Sequence, residues 1–312
     1  MHCEIKWRNM THDEWDVLFK KCTHTPITQS YYYAQAMRES KQQGVRHGII
    51  LIDGAEAGIV QMQEVRLFGQ IIHGLSIDRG PCWFKNFGTL NHLTAFATTL
   101  DTQFPDRFGR KRRFLPEFQS KNQNISLNNW IKNQKIPQYN TFMIDLSPTP
   151  TETRQNLKKN WRNYLSKSEK GRITIKKDDD LSTLSSFLKF YTRDRLEKQY
   201  SGTSARFLAA MAKYAAFHND CFILNATEDG QTIGSVIIFT HGNSATYQAG
   251  WTTPYGRNKG AHHLLLWETI KILKSQGILA FDLGGYNNDA DGITAFKAGL
   301  GGHAIALIGS YS

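Results

Sequence analysis

One spacing occurs twice in this chain and constrains its fold more than any other feature. Asp53-Gly54 is followed by Gly58, and Asp229-Gly230 is followed by Gly234, 176 residues further on. Each Asp-Gly pair joins two apolar runs. Gly48-Ile49-Ile50-Leu51-Ile52 leads into the first and Ile59-Val60 leaves it; Cys221-Phe222-Ile223-Leu224 leads into the second and Val236-Ile237-Ile238-Phe239 leaves it. A tight hairpin turn needs positive φ, which Gly adopts at no steric cost and Asp tolerates, so such a pair between apolar runs predicts a β-hairpin. The same offset matches Gly74 with Gly250, in a later apolar segment. The spacing predicts a duplication: in each half helices come first, then an antiparallel hairpin, then further helix and strand. That order belongs to an α/β (α+β) chain of two tandem domains, each with a central, mostly antiparallel sheet flanked by helices. Leu146-Ser147-Pro148-Thr149-Pro150 sets the expected boundary, giving domains 1–147 and 148–312.

The second half opens with a helix signal. Thr149 and Glu152 have capping-box spacing, with Pro150 at the first helical position. Leu157, Trp161 and Leu165 recur at helical spacing and should face a core, while Arg154, Lys158 and Arg162 lie four apart on another face. Gly171 supplies a C-cap. A second helix is signalled by Leu266, Ile270 and Leu273, ending at Gly277. A short buried strand, Ile278 to Leu283, follows and ends in Gly284-Gly285.

Charge bounds the partners. The formal net charge is +11, and between Arg154 and Lys177 nine Lys or Arg stand against one acid, Glu169. A second cluster is Arg107, Arg110, Lys111, Arg112 and Arg113. Such asymmetry suits a polyanion: tRNA, a nucleotide-linked substrate, or the surface of an anionic membrane. No run approaches the roughly 18–20 apolar residues of a membrane span. The first residues lack a signal-peptide layout, so the expected location is cytoplasmic. Cys3, Cys22, Cys82 and Cys221 have no metal-ligand spacing and read as reduced thiols; the histidines form no metal pattern either.

Several residues could carry chemistry. Asp282 ends a buried strand and is followed by two glycines, where backbone can approach a ligand closely; it would orient an attacking amine or cap the turn. Lys297, after Phe296, could stabilise an oxyanion, although a lone lysine is more often a surface charge. Arg193 and Arg195 are two apart and do not share a helix face, so only one should reach a given phosphate. Tyr247, Trp251 and Tyr255 recur every four residues and line a cleft or pack a core. Tyr31 begins a helix after Gln29-Ser30 and serves an acceptor pocket or the first core. Tyr255 to Ala261 stands where an acyl-CoA transferase places its pyrophosphate loop; Arg257 and Gly260 fit that pattern, but His262 occupies a position that needs a small residue.

On these residues the chain resembles the FemABX family of peptidyl or aminoacyl transferases. The matching segments are Thr28-Gln29-Ser30; Asp78-Arg79-Gly80-Pro81; Arg154 through Gly171; Gly260-Ala261-His262 leading into Leu264-Leu265-Leu266-Trp267; Phe281-Asp282-Leu283-Gly284-Gly285; and Gly292-Ile293-Thr294-Ala295-Phe296-Lys297. They span almost the whole chain. The resemblance implies two N-acetyltransferase-like (GNAT) domains and transfer of an amino acid from aminoacyl-tRNA to an amine-bearing peptide or precursor. In well-known members the acceptor is a peptidoglycan precursor. It further implies that Lys297 acts at the reacting ester beside Asp282. Arg193 or Arg195, with Tyr247, Trp251, Gly284, Gly285 and Tyr31, would bind substrate, and Lys158, Lys159 and Arg162 would contact the tRNA backbone. The chain departs from the family by lacking a long helical-hairpin arm and by carrying Met37-Arg38 where a phosphate-binding lysine is expected. The expected co-substrate is aminoacyl-tRNA, with no metal and no resident cofactor. The alternatives are an acyl-CoA-dependent N-acyltransferase, which His262 disfavours, and a non-catalytic module that binds nucleic acid or an anionic surface.

Overall fold

The structure, a computed structural model, describes residues 1–67, 71–119, 125–286 and 291–312. Two compact units emerge: Met1–Tyr139 with Ala306–Ser312, and Asn140–Ile305. The division falls at Asn140, ahead of the Pro-rich stretch that suggested residue 147. The reason is strand pairing. Asn140–Asp145 hydrogen-bonds to Ala280–Gly285 and so belongs to the second sheet. The chain end returns to the first unit, where Phe114 and Tyr311 exchange backbone hydrogen bonds of 2.8 and 2.7 Å.

The first unit contains β1 (Cys3–Arg8), α1 (His12–Phe19), α2 (Tyr31–Lys41), β2 (Gly44–Ile52), β3 (Ala55–Leu67), β4 (Ile71–Asp78), β5 (Cys82–Trp83), α3 (Leu90–Gln103) and β6 (Lys111–Leu115). Its strands are ordered β1-β2-β3-β4-β6, with β5 paired to β3. All neighbours are antiparallel except β4 and β6. Consecutive apolar residues point to opposite faces, so both faces are covered. Ile50 and Val60 pack with Leu93, Phe96 and Leu100 of α3. Ile49 and Ile59 pack with Trp15 and Phe19 of α1.

The second unit contains β7 (Asn140–Asp145), α4 (Pro150–Asn156), α5 (Lys159–Glu169), β8 (Thr174–Asp178), α6 (Leu184–Lys198), α7 (Ala205–Ala216), β9 (Cys221–Glu228), β10 (Gln231–His241), β11 (Ser244–Thr252), α8 (Pro254–Lys259), α9 (Ala261–Ser275), β12 (Ala280–Gly285), α10 (Asp291–Gly299) and β13 (His303–Ala306). Its sheet runs β13-β7-β12-β11-β10-β9-β8. Leu264, Leu265, Ile270 and Leu273 of α9 and Trp161 and Leu165 of α5 fill a core against Leu224, Val236, Ile238 and Phe281.

The repeat is structural. Both Asp-Gly pairs sit in hairpin turns at positive φ: +48° and +84° at Asp53 and Gly54, +49° and +77° at Asp229 and Gly230. Each hairpin has a β-bulge just past its turn, leaving Ala57 and Ile233 unpaired, at the same offset as the turns themselves. The following strand is bulged in both units as well, at His73 in β4 and Gln248 in β11. Gly74 and Gly250 lie on these two strands, each of which has a parallel partner, β6 or β12.

The expected continuous helix from Pro150 to Lys170 is broken. Leu157 and Lys158 have extended ψ of 141° and 150°. The break lets Leu157 enter the core, while Lys158 N donates to Gly299 O at 2.9 Å. Arg162 caps the interrupted end by donating to Gln155 O and Leu157 O, both at 2.7 Å. Arg154, Lys158 and Arg162 therefore do not share one helical face. Arg154 instead forms a bidentate pair with Glu169.

Candidate active site of the C-terminal unit

The site begins where two parallel strands part. β11 and β12 pair only from Ser244–Thr246 to Ala280–Asp282. Beyond this, β11 continues alongside β10 to Thr252, while β12 turns toward β7 and places Gly285 opposite Thr141. At the divergence Gly284 has φ +75°, and a Cβ there would lie 3.1 Å from Tyr247 O. A side chain there would be strained by the backbone conformation and crowded by that carbonyl.

This turn is held by two buried ions. Asp282 is 2% exposed and accepts hydrogen bonds from the Thr141 hydroxyl and from Gly284 N at 2.8 Å. Lys297, on α10, is 8% exposed and donates to Gly284 O and Gly285 O, each at 2.9 Å. Burial pushes the Lys297 ammonium down to about 8, with Asp282 pulling it back up. An ammonium has three donors, and these two carbonyls account for two of them. Among the described residues no acceptor for the third is found. The arrangement is a desolvated cation beside a strand gap, able to donate to a negative oxygen formed there.

The bulge at Gln248 decides which side chains face this gap. An extra residue reverses the alternation along a strand. Tyr247 therefore shares the α9 face with Gly250 and Thr252, and its hydroxyl meets His262 Nε2 at 3.0 Å. Thr252 Oγ1 meets His262 Nδ1 at 2.7 Å. Trp251 points to the opposite face and stacks on Phe190 of α6, with ring centroids 4.6 Å apart. Tyr247 and Trp251 thus do not line one cleft. Burial pushes His262 down to about 3 and His263 to about 4, so both rings are neutral at pH 7. His263 packs among Trp161, Tyr164 and Phe296 at centroid distances of 4.7, 4.9 and 5.0 Å.

This packing bears on coenzyme A. A pyrophosphate needs open backbone donors at a helix N-terminus. Here Gly260 and Ala261 are buried, and a Cβ at Gly260 would sit 2.9 Å from Tyr164 O of α5. Two imidazoles and a packed helix crowd the first turn of α9, which no side chain caps, and this crowding disfavours so bulky a group.

The C-terminal end of α6 adjoins the same site. Asp194 accepts from Lys198 and from the Tyr200 hydroxyl at 3.1 Å. Lys198 and Lys297 both lower the pKa of His262, and burial, with the nearby Tyr191 hydroxyl and Asp194 carboxylate, raises Tyr247. Arg195, Thr192, Leu196, Gln199 and Tyr200 line a cavity of about 310 Å³. Arg195 donates to Thr203 O at 3.0 Å, and its buried Nε has no partner among the described residues. Arg193 is 66% exposed and pairs with Glu197. The two arginines are separated as helical spacing requires, and Arg195 is the one that meets a cavity.

The remaining candidates fall elsewhere. Lys158 and Lys159 are exposed at the start of α5, whereas Arg162 is tied to the helix break. Tyr31 lies in the N-terminal unit, stacked on His47 at 5.6 Å. Tyr255 is half exposed on α8 and contributes no core packing. Thr141, His262, Thr252, Asp194 and Tyr200 were not singled out from sequence as functional. Thr141 reaches Asp282 across 141 positions, a contact that no local pattern encodes. His262 was visible, but as an obstruction to phosphate and not as the partner of Tyr247.

The site predicts a pH signature for one variant. Asp282→Asn keeps the side-chain shape but removes the charge that sustains the Lys297 ammonium. The rate of any reaction that needs this ammonium should fall roughly ten- to hundredfold, the worth of a charge-assisted contact. The high-pH limb of its profile should also shift to lower pH. An unshifted limb would show that Asp282 does not act through Lys297.

Residues 151–298 match the acetyltransferase (GNAT) domain family, and this match falls within the C-terminal unit. Over its whole length the chain has the fold of FemX: TM-score 0.79 at 13% identity, covering 98% of this chain and 96% of that one. It is FemABX-like in architecture, with two GNAT-like domains. The C-terminal domain of a proposed lysylphosphatidylglycerol synthetase from Agrobacterium fabrum is also similar (TM-score 0.53, 11% identity, 95% and 91% covered). So is a tandem GNAT protein from the clavulanic acid biosynthesis pathway (TM-score 0.50, 10% identity, 99% and 98% covered). No curated protein sequence matches the chain significantly. Among the described residues no helix is long and apolar enough to cross a membrane.

Proposed function

We propose that the protein is an aminoacyltransferase that moves an amino acid from aminoacyl-tRNA to an amine on a peptide or a precursor. The observation that carries this reading is the Lys297 ammonium, buried beside the β11–β12 gap and bonded to Gly284 O and Gly285 O at 2.9 Å. An aminoacyl ester is already activated, so the protein's main tasks are to position the amine and to stabilise charge. The amine nitrogen attacks the ester carbonyl carbon and a C–N bond forms. The carbonyl oxygen becomes negative and accepts a hydrogen bond from Lys297. As the C–O bond to the ribose breaks, the amine's proton passes to the departing ribose oxygen. The FemABX resemblance supports tRNA as donor. The packed start of α9 argues against coenzyme A. Arg195 and its cavity would hold an anionic part of the acceptor, such as a phosphate.

The direct test is incubation with total tRNA charged with labelled amino acids, together with amine acceptors that include peptidoglycan precursors and small peptides. Label should leave the tRNA and appear on one acceptor class. Retention of label with every acceptor, combined with thermal stabilisation by acyl-CoA, would overturn the proposal.

The tRNA contact can be tested separately. Replacing Lys158 and Lys159 by Glu should weaken tRNA retention at least tenfold and reduce the slope of log affinity against log salt by about 1.5, from two lost phosphate contacts. Arg162→Glu is a poor probe, because it uncaps the break before α5.

A further inference from the structure

One end of the N-terminal unit's sheet concentrates positive charge around an exposed aromatic ring. The pairing places the C-terminal ends of β1 and β3 beside the N-terminal ends of β2, β4 and β6. Arg8, Arg46, Arg66 and Lys111 gather there. The segment between α3 and β6 closes the same end and adds Arg107 and Arg110. Its shape is held from within. Arg110 N donates to Arg107 O and its guanidinium to Pro105 O, both at 3.0 Å, and Arg110 Nε reaches Ile72 O on β4 at 3.4 Å. Phe108 stands in this turn, fully exposed, just before Gly109 at φ +81°. Ile71, at the start of β4, is 53% exposed.

The acids near this end, with Glu14 close to Arg8 among them, are fewer than the cations. Glu64 is buried and shared between Arg46 and Arg66, each at 2.8 Å. Asp101 is taken by Arg112. Asp106 is exposed beside Arg107. Burial lowers the pKa of Arg110, and the adjacent charges of Arg107 and Arg112 lower it further, as expected where cations crowd.

We propose that this end of the N-terminal unit docks on an anionic lipid bilayer, with Phe108 and Ile71 entering the interface and Arg107, Arg110 and Lys111 facing headgroup phosphates. An apolar tip flanked by cations fits such a surface on two counts: apolar area leaves water, and each cation gains from the negative surface potential. Single-stranded RNA would take the same charges and could stack on Phe108, but it offers nothing that buries an aliphatic Ile71. The bilayer accounts for both side chains. This inference is independent of the acyl-transfer chemistry, which it neither requires nor supports.

The test is cosedimentation of the full chain with vesicles of phosphatidylcholine alone and with vesicles of phosphatidylcholine and phosphatidylglycerol in equal parts. A short single-stranded RNA serves as a second probe. The protein should bind the mixed vesicles, bind the neutral ones far more weakly, and be released by salt. Phe108→Ser should weaken vesicle binding roughly tenfold, as expected for an aromatic ring that leaves water. Each of Arg107→Glu and Lys111→Glu should cost about fivefold or more. Thermal melting of Phe108→Ser should match the parent, because the ring is fully exposed. Equal binding of Phe108→Ser and the parent to mixed vesicles would overturn the proposal. So would equal binding of the parent to both vesicle types, or loss of RNA binding in Phe108→Ser with vesicle binding unchanged.

Discussion

Replacing Lys297 by Met should lower the transfer rate about 100- to 1,000-fold while leaving the protein folded. The rate estimate is that for removing one donor aimed at a developing oxyanion in a water-excluded site. The stability estimate comes from two opposing effects. Holding this ammonium at a pKa of about 8, against about 10.4 in an unfolded chain, costs about 3 kcal/mol wherever the group is charged in both states. Met relieves that cost. It also removes the charge-assisted hydrogen bonds to Gly284 O and Gly285 O, at about 1.5 kcal/mol or more each, and Gly285 is exposed enough for water to replace one of them. The net change at pH 7 should therefore lie within about 1–2 kcal/mol of zero. The sign of the pH dependence follows from the lowered pKa. Between about pH 8 and 10.4 the unfolded chain binds the additional proton, so the parent gains stability relative to Lys297→Met as pH rises through this window. Transfer, which needs the charged form, should decline over the same rise. Denaturant titrations at pH 7 and pH 10, paired with rate measurements, check both. Full activity in Lys297→Met would remove the lysine from the mechanism.

Gly250→Val should destabilise the C-terminal unit by about 3 kcal/mol, a fall in melting midpoint of roughly 5–10 °C. A Cβ at Gly250 would lie 2.7 Å from the Tyr247 hydroxyl, 2.9 Å from His262 Cε1 and 3.0 Å from Ser235 O. One of these neighbours is backbone, and the other two are bonded to each other, so the site cannot relax cheaply. Gly74 is the counterpart in the repeat, and a Cβ there meets nothing nearer than Val65 Cβ at 3.6 Å. Gly74→Ala should therefore be nearly neutral where Gly250→Ala is costly. If crowding against His262 is the cause, Gly250→Ala should cost less in a His262→Ala background, a coupling that a double-mutant cycle measures. Equal costs in both backgrounds would place the strain elsewhere.

These two glycines also mark the limit of what a linear sequence can show. Their offset, together with the two Asp-Gly turns, was enough to read a duplicated antiparallel unit, because turn chemistry and apolar runs are local properties. The same reading could not tell that Gly250 is crowded and Gly74 is not, since the crowding comes from His262 and from a bulge that flips Tyr247. The bulge likewise sent Trp251 away from Tyr247, although their spacing suggested a shared cleft. Spacing also predicted one helix from Pro150 to Lys170, whereas burial of Leu157 and the bond from Lys158 N to Gly299 O break it in two.

The residues Asp282, Gly284, Gly285 and Lys297 were legible in order, but what unites them was not. Sequence alone determined two hairpins at a common offset, the basic stretch after Arg154 and the Asp-Leu-Gly-Gly turn, each an outcome of side-chain and backbone preferences over a few residues. Only the tertiary structure decided that Thr141 steadies Asp282, that Lys297 is desolvated against the carbonyls of that turn, and that His262 closes the start of α9. Desolvation and long-range hydrogen bonds depend on what surrounds a group in space, and Thr141 reaches Asp282 from 141 positions away.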